Sequence, residues 1–224
     1  MKIALIDYDS GNLRSAQKAF ERAAATLDKT ATVTLSRAAE DVMAADYIVL
    51  PGVGAFGDCA AGLAAIPGMI EALNERVVRQ AYPFLGICVG MQLMLARGHE
   101  NKALNQGAPY SGLSWIEGDV DVLQPQDKAL KIPHMGWNEI QITDIGPASL
   151  ANGLAKNLAG ADVYFVHSYQ AIPEANSDVL AVCDYGGRFA AMIGRDNMVG
   201  TQFHPEKSQA NGLQLIDNFL RWRP

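Results

Sequence analysis

Residues 86 to 90, Gly-Ile-Cys-Val-Gly, place a cysteine between two glycines, directly after an apolar run typical of a buried strand. This is the cysteine counterpart of the G-x-S-x-G turn, where a nucleophile sits on a sharp strand-to-helix turn. We expect Cys88 to project at the carboxyl edge of a sheet, with the Val89 amide as an oxyanion donor and the helix N-terminus favouring the thiolate. Cys88 could also be an ordinary small core residue. The other cysteines, Cys59 and Cys183, lie in no comparable motif.

A histidine and a glutamate two residues apart, His204 and Glu206, stand between a strand and the last predicted helix. Residues two apart in an extended segment point the same way, and Pro205 disfavours helix at His204. His204 could then take a proton from Cys88 while Glu206 fixes the tautomer of the ring. Taken singly, His204 could be a structural histidine and Glu206 a helix-start charge, but the spacing together with the cysteine turn favours a Cys-His-Glu triad that attacks an amide.

Two further segments suit the same chemistry. Residues 50 to 54, Leu-Pro-Gly-Val-Gly, end another predicted buried strand, and the backbone at Gly52 and Val53 could form the second half of an oxyanion hole. A plain β-turn would explain this segment equally well. Gln92 lies one helical turn beyond Cys88, so one helix face could present both side chains to a substrate; a solvated helix residue is the alternative.

Short apolar or β-branched runs alternate with amphipathic stretches through the first half of the chain. The runs cover residues 2–8, 31–35, 46–52 and 83–88, and the amphipathic stretches cover residues 13–25 and 67–80. This alternation predicts an α/β fold with a mostly parallel central sheet and helices on both faces. Ligands bind at the carboxyl edge of such open sheets.

The second half of the chain favours strands, which indicates an antiparallel extension of the sheet. Candidate strands are GDVDVLQ (118–124), NEIQIT (138–143), DVYFVHSY (162–169), DVLAVCDY (178–185), RFAAMIG (188–194) and MVGTQF (198–203). We expect a helix over residues 89–96, an irregular connection over residues 97–118, and a final helix from about residue 208 to 222. No repeat or long linker is visible, so we expect one domain over residues 1–224.

Composition narrows the classes of function. The 224 residues are 49% hydrophobic and 19% charged, with a formal net charge of -6 and no basic run, which disfavours nucleic-acid binding. No apolar stretch approaches the roughly 20 residues of a membrane span, and the N-terminus does not look like a secretory signal, so we expect a cytoplasmic protein without membrane attachment. Three widely spaced cysteines without CxxC disfavour a disulfide framework or a zinc site.

The PGxG, GxCxGxQ and HPE segments, in that order, resemble the class I, or triad-type, glutamine amidotransferases over nearly the whole chain. Further segments are similar to one branch of this family, the glutaminase subunits of imidazole glycerol phosphate synthase: IDYDSGNLRS (6–15), LPGVGAFG (50–57), GICVGMQLM (86–94), IPHMGWNEI (132–140), YFVHSY (164–169) and QFHPEKS (202–208). The chain departs from the family at Asp9, where glycine is usual, and at Val89, where leucine is commoner.

The resemblance implies a flavodoxin-like amidotransferase fold that hydrolyses glutamine to glutamate and ammonia without a metal or organic cofactor. It implies that Gln92 and the backbone at Ser168 and Tyr169 hold glutamine. It also implies a heterodimer with a (β/α)8 cyclase subunit, which uses the ammonia to form imidazole glycerol phosphate and aminoimidazole carboxamide ribotide in histidine biosynthesis. The residues carried over from the family as facing the cyclase are Asn12, Trp137, Tyr164 and Lys207.

Two other classes of enzyme are compatible with these motifs. The chain could be the glutaminase subunit of another amidotransferase, or a cysteine peptidase-like hydrolase on the same scaffold, because a GxCxG turn with a histidine can cleave either amide. Gln92 and the PHMGWN segment weigh against the peptidase. A binding module on an inactive amidotransferase fold would require loss of a triad member, and none is lost.

Overall fold

The structure is a computed structural model that describes residues 1–27, 30–144 and 153–224. The strands are β1 (Lys2–Ile6), β2 (Thr32–Ser36), β3 (Tyr47–Gly52), β4 (Phe84–Cys88), β5 (Leu95–Gly98), β6 (Tyr110–Ser111), β7 (Ile116–Val122), β8 (His134–Ile142), β9 (Asp162–His167), β10 (Tyr169–Pro173), β11 (Val179–Asp184), β12 (Arg188–Arg195) and β13 (Met198–Thr201). The α-helices are α1 (Leu13–Leu27), α2 (Ala39–Ala44), α3 (Phe56–Ala64), α4 (Met69–Leu73), α5 (Val89–Gln92) and α6 (Gln209–Arg221), and a π-helix, Asn74–Arg79, continues α4.

Nine strands form the main sheet, in the order β2-β1-β3-β4-β13-β12-β11-β8-β9. The first five strands are parallel, and each of the remaining four is antiparallel to its neighbour. The order of the parallel strands is that of flavodoxin-like folds. The predicted fold class, a parallel α/β sheet with an antiparallel extension, is confirmed.

The central parallel strands form because both of their faces are buried. Every residue of β3 and β4 is buried, as their near-continuous apolar runs predict. Helix α1 buries one side through Ala16, Phe20, Ala23 and Ala24, which recur at helical spacing. Phe20 and Tyr47 both pack edge-to-face on Phe219 of α6. The first and last helices therefore cover the sheet together, while α2 packs against α4.

A second sheet, in the order β10-β7-β5-β6, corrects two sequence expectations. The helix expected over residues 89–96 ends at Gln92, because Leu95–Gly98 pairs with β7 and β6 instead. The connection expected to be irregular over residues 97–118 contains β6 and the start of β7. Helix α3 was not predicted, since its sequence, FGDCAAGLA, is rich in small residues and shows little contrast between its faces.

Within the described ranges, no single helix is long and apolar enough to cross a membrane. One bent pair, Phe56–Ala64 with Met69–Arg79, meets the length and composition of a span only when both helices are taken together.

Candidate active site

Cys88 lies at the turn from β4 into α5 with a strained backbone, at φ 56° and ψ -110°. The flanking glycines are required by close backbone contacts. A Cβ at Gly90 would lie 1.8 Å from the Leu50 carbonyl oxygen, and one at Gly86 would lie 2.5 Å from the Gly90 carbonyl oxygen. A side chain at either position would force the turn to open, so the Gly-x-Cys-x-Gly spacing holds the cysteine at the end of its strand.

Three neighbouring strands deliver the candidate groups to one edge. In the register of β3 and β4, Gly52 pairs with Cys88, and on the other side of β4, Ile87 pairs with Thr201 of β13. The turn after β3, the nucleophile after β4 and the histidine segment after β13 therefore meet at the carboxyl ends of parallel strands. This is the edge at which open α/β sheets bind ligands.

His204 and Glu206 form the pair that their spacing predicts, although the backbone differs from the expectation. Residues Pro205–Lys207 form a 3₁₀-helix rather than an extended segment, while His204 itself is extended, at φ -97° and ψ 100°, as the following proline predicts. His204 Nδ1 lies 2.8 Å from Glu206 Oε1, and both side chains are almost fully buried. Ser208 fixes this turn, because its hydroxyl donates to the His204 carbonyl at 2.7 Å and accepts from the Tyr164 amide at 3.0 Å.

The electrostatics of the site favour a protonated histidine. Burial alone lowers the pKa of His204, but its interactions with Cys88 and Glu206 outweigh burial and raise that pKa to about 10. Its second ring nitrogen, Nε2, is buried without a hydrogen-bond partner in the described part of the chain. The arrangement can therefore hold an imidazolium beside Cys88, a pairing that activates cysteine nucleophiles.

A cavity of about 250 Å³ opens beside Cys88. Of the nine residues predicted from sequence as catalytic, oxyanion or substrate groups, seven line it: Val53, Cys88, Val89, Gln92, Ser168, Tyr169 and His204. Gly52 and Glu206 do not line it. The lining also includes Glu100 and His167. Glu100 lies in the segment expected to be an irregular connection, and no local sequence signal marks it as part of this site.

Gln92 and Gln202 form a buried amide pair behind the nucleophile. The Gln92 side-chain nitrogen, Nε2, donates to the Tyr169 carbonyl at 3.2 Å and to Gln202 Oε1 at 3.0 Å. The Gln202 nitrogen donates to the Cys88 sulfur at 3.6 Å. Gln202 is fully buried. In the sequence Gln202 belongs to the QFHPEKS segment, but no local signal gives it a role.

Two histidines support the Tyr169 carbonyl. His167 Nδ1 lies 2.9 Å from this oxygen and therefore carries the donated proton. His134 Nδ1 lies 3.0 Å from His167 Nε2, so it must donate to it. Burial lowers the pKa of His134, and burial also lowers the pKa of His167, to about 4. Both rings are then neutral at physiological pH, with tautomers fixed by the carbonyl.

The turn after β3 is held by Ser10 and Cys59. The Val53 amide donates to Ser10 Oγ at 3.0 Å, and the Ser10 hydroxyl lies 2.5 Å from the Val53 carbonyl as a donor. The Cys59 thiol also donates to that carbonyl at 3.4 Å. The Val53 amide, expected as an oxyanion donor, is thus engaged by a protein acceptor. Cys59 contacts the predicted oxyanion turn, which its sequence context did not indicate.

Three of the four residues expected at the partner surface lie together. Trp137 and Tyr164 pair across β8 and β9 with ring centroids 5.9 Å apart, and Lys207 Nζ lies 5.7 Å from the Tyr164 ring centroid. Met135 is 62% exposed and Trp137 45% exposed, on the outward face of β8. Asn12 stands just before α1, where its carbonyl accepts from the Ala16 amide.

Asp9 occupies a position that suits glycine. Its φ of 62° is in the left-handed region, which aspartate tolerates better than most residues. Its carboxylate forms a two-pronged ion pair with Arg37, and that hydrogen bond lowers the pKa of Asp9. The residue that departs from the family pattern therefore still adopts a conformation of the kind that glycine provides.

No group of three or more His, Cys, Asp or Glu side chains in residues 1–27, 30–144 and 153–224 is arranged to hold a metal ion. The three cysteines are unpaired and buried.

Comparison with known proteins identifies the family. Residues 4–222 match the model of the class-I glutamine amidotransferases. Over its full length and that of the relative, the chain is 56% identical to the imidazole glycerol phosphate synthase subunit HisH of Brucella suis biovar 1 (strain 1330) and 54% identical to that of Agrobacterium fabrum (strain C58 / ATCC 33970). A solved structure described as glutamine amidotransferase shares the fold, with a TM-score of 0.67 at 15% identity over 98% of this chain and 97% of that one.

The chain belongs to the class-I glutamine amidotransferase family. Within that family, its full-length relatives place it with the HisH subunits of imidazole glycerol phosphate synthase.

Proposed function

We propose that this chain hydrolyses glutamine to glutamate and ammonia and supplies the ammonia to a (β/α)8 cyclase subunit. The cyclase forms imidazole glycerol phosphate and aminoimidazole carboxamide ribotide in histidine biosynthesis. The observation that carries the proposal is the convergence of Cys88, His204 and Glu206 at a small cavity, in a chain that is 56% identical to a HisH subunit over its full length.

Cys88 is the nucleophile in this proposal. Its thiolate sulfur attacks the side-chain carbonyl carbon of glutamine, and a carbon–sulfur bond forms. The His204 imidazolium gives its proton to the amide nitrogen, the carbon–nitrogen bond breaks and ammonia leaves. His204 then takes a proton from water, whose oxygen attacks the thioester; the carbon–sulfur bond breaks and glutamate is released. Glu206 accepts from His204 Nδ1 and stabilises the imidazolium in both half-reactions.

Gln92, Ser168 and Tyr169 hold the substrate. Both hydrogens of the Gln92 amide are used by protein acceptors, so its oxygen is the group left to receive a donor from the ligand. Glu100 lines the same cavity, and its carboxylate is opposite in charge to the α-ammonium group of glutamine. These groups together select a small zwitterionic amino acid.

The oxyanion donors are the amides of Val89 and Val53, and Gly52 leads into this turn at a point where a Cβ would collide with Tyr8 and Gly90. The Val53 amide is bonded to Ser10, so the second donor becomes available only when this turn rearranges. A preorganised oxyanion donor is worth about 2.7–4 kcal/mol, or roughly a hundred- to thousandfold in rate. The isolated chain should therefore turn over glutamine slowly until its partner rearranges the turn.

The exposed face around Trp137, Tyr164 and Lys207 is the docking surface for the cyclase, with Asn12 at its edge. Exposed apolar side chains such as Met135 and Trp137 are typical of interaction surfaces. Pro133, directly before β8, and Val166, which pairs with Met135 of β8, line the cavity. Ammonia released in the cavity could thus leave toward a subunit bound on this side.

The chain acts as one amidotransferase domain over residues 1–224, in the cytoplasm. Catalysis needs Cys88 as a free thiol, and a reducing compartment keeps thiols in that state.

The test compares two ammonia sources in the assembled complex with the cyclase. Cys88→Ser should abolish synthesis from glutamine but leave synthesis from added ammonium salt, because only the ammonia source is lost. Cys183→Ser is the matched control, since Cys183 is equally buried but lies outside the cavity. Equal loss of both activities in Cys88→Ser, or cleavage of casein by the wild-type chain without glutaminase activity, would overturn the proposal.

A further inference from the structure

Gln202 is a fully buried amide whose hydrogen bonds lead from the substrate-binding residues to the nucleophile. It follows the last residue of β13 and precedes Phe203 and His204 in the chain. Its backbone amide donates to the Ala191 carbonyl at 2.9 Å, which fixes the residue to β12. A buried amide side chain needs partners for its polar atoms, and those of Gln202 are Gln92 and Cys88.

The Tyr169 carbonyl fixes the donor and the acceptor of each hydrogen bond in the network from Tyr169 to Cys88. The Tyr169 carbonyl can only accept, so the Gln92 nitrogen must face it. The second hydrogen of that nitrogen then requires an acceptor, which places the Gln202 oxygen toward Gln92. The Gln202 nitrogen is left facing Cys88, with an N–H hydrogen available for its sulfur. The amide orientation thus follows from the network rather than from an arbitrary choice between oxygen and nitrogen.

We propose that Gln202 is a further catalytic residue, whose amide N–H stabilises the thiolate of Cys88, and that Gln92 holds this amide in its donating orientation. A thiol sulfur is a weak acceptor, whereas a thiolate is charged and gains a charge-assisted hydrogen bond. The bond therefore favours the reactive form over the resting thiol. This inference rests on the proposed role of Cys88 as the nucleophile in glutamine hydrolysis.

The position of Gln202 separates its effect from that of the histidine. Several titratable groups interact electrostatically with Cys88. They are His204 with its partner Glu206, Tyr8 from the loop after β1, and Cys59 of α3. A change at Gln202 removes a neutral donor and leaves these groups in place. Gln202 also shares Gln92 with the substrate cavity, so the same amide pair links the binding residues to the nucleophile.

The experiment measures how readily the Cys88 thiolate forms. The full chain is treated with iodoacetamide across a range of pH, and alkylation of the peptide that contains Cys88 is followed by mass spectrometry, so that Cys59 and Cys183 do not contribute. In Gln202→Met, which keeps the length of the side chain but lacks the donor, the midpoint of the alkylation profile should rise by about one to two pH units. Alkylation at pH 7 should slow about tenfold or more.

Three comparisons make the result specific. Gln124→Met, at an exposed glutamine after β7, should leave the profile unchanged. Gln202→Asn, whose shorter side chain withdraws the amide, should move the midpoint in the same direction as Gln202→Met and serves if the latter does not fold. Gln92→Met should produce a smaller rise, together with a higher KM for glutamine, because the donor remains but its orientation is released.

The outcomes separate this inference from the proposed function. An unmoved midpoint in folded Gln202→Met and Gln202→Asn, with a reactive Cys88 and glutaminase activity in the wild type, would refute the role of Gln202 alone. Absence of glutaminase activity from the wild-type chain in complex with the cyclase would instead refute the function. Each folded variant should copurify with the cyclase and keep the circular-dichroism spectrum of the wild type, and this result shows that a lower glutamine rate is not due to misfolding.

Discussion

The hydrogen bonds between Ser10 and Val53 predict that Ser10→Ala activates the isolated chain. Ser10 ties together the two peptide groups that flank Val53, since its oxygen accepts from the amide and its hydroxyl donates to the carbonyl. Alanine removes both bonds and leaves the Cys59 thiol as the remaining contact to the carbonyl. The turn could then present the Val53 amide to an oxyanion at a lower cost.

The expected rise in glutamine turnover follows from the two hydrogen bonds that Ser10→Ala removes. Each hydrogen bond contributes about 0.5–1.5 kcal/mol net, so losing two lowers the cost of rearrangement by about 1–3 kcal/mol. Because about 1.4 kcal/mol corresponds to a tenfold change in rate, glutamine turnover by the free chain should rise about 5- to 150-fold. This stays below the roughly thousandfold limit for one complete oxyanion donor.

Glutamate release by the free chain, followed with a coupled dehydrogenase, measures this effect. Ser177→Ala, at an exposed serine in the 3₁₀-helix Asn176–Asp178, is the control and should leave turnover unchanged. Stimulation by the cyclase and its ligand should shrink in Ser10→Ala, because part of the activation is already present. Unchanged or slower basal turnover in folded Ser10→Ala would show that the Ser10 bonds do not restrain the turn.

Further predictions concern the base and the docking surface. His204→Ala should lower glutamine turnover by at least about 10²- to 10⁴-fold, the usual worth of a general acid–base, and near-normal turnover would remove His204 from the mechanism. Glu206→Gln should lower glutamine turnover less than His204→Ala does. Because Glu206 raises the pKa of His204, its loss should lower that pKa. The alkaline fall in kcat/KM, expected near pH 10 in the wild type, should then move to lower pH. Lys207→Ala should weaken the rise in glutamine turnover that the cyclase and its ligand cause, while an unchanged response would exclude Lys207 from signalling.

The parallel half of the fold could be predicted because its signals are local. Strands such as β3 and β4 are buried on both faces, so the continuous apolar runs YIVL and FLGI predict them without any knowledge of their partners. The helix after Cys88 could not be bounded in the same way. Leu95 and Ala96 continue the apolar run of the preceding residues, and only the pairing of Leu95–Gly98 with β7, about twenty residues further on, makes this segment a strand.

Some residues of the candidate site could likewise be predicted from local sequence, and others could not. Cys88, His204 and Glu206 stand in motifs whose spacing carries the chemistry, so they could be proposed from sequence. Ser10 and Gln202 act through contacts with residues 43 and 114 positions away, and only the tertiary structure brings these groups together. The expected extended backbone was wrong at Glu206 but not at His204, and the pair forms because the 3₁₀ turn that begins at Pro205 brings the Glu206 carboxylate 2.8 Å from the His204 ring.

The adjacency of β3, β4 and β13 has a consequence for how such a chain can diverge. Neighbouring strands are held about 4.8 Å apart by backbone hydrogen bonds, which do not depend on side-chain identity. Backbone pairing of the strands therefore sets the lateral spacing between the oxyanion turn, the nucleophile and the segment that holds His204. Substitutions on the outward faces of β8 and β9 could alter which subunit docks without moving these three strand ends. The docking face can thus change while the spacing of the three catalytic strand ends is kept.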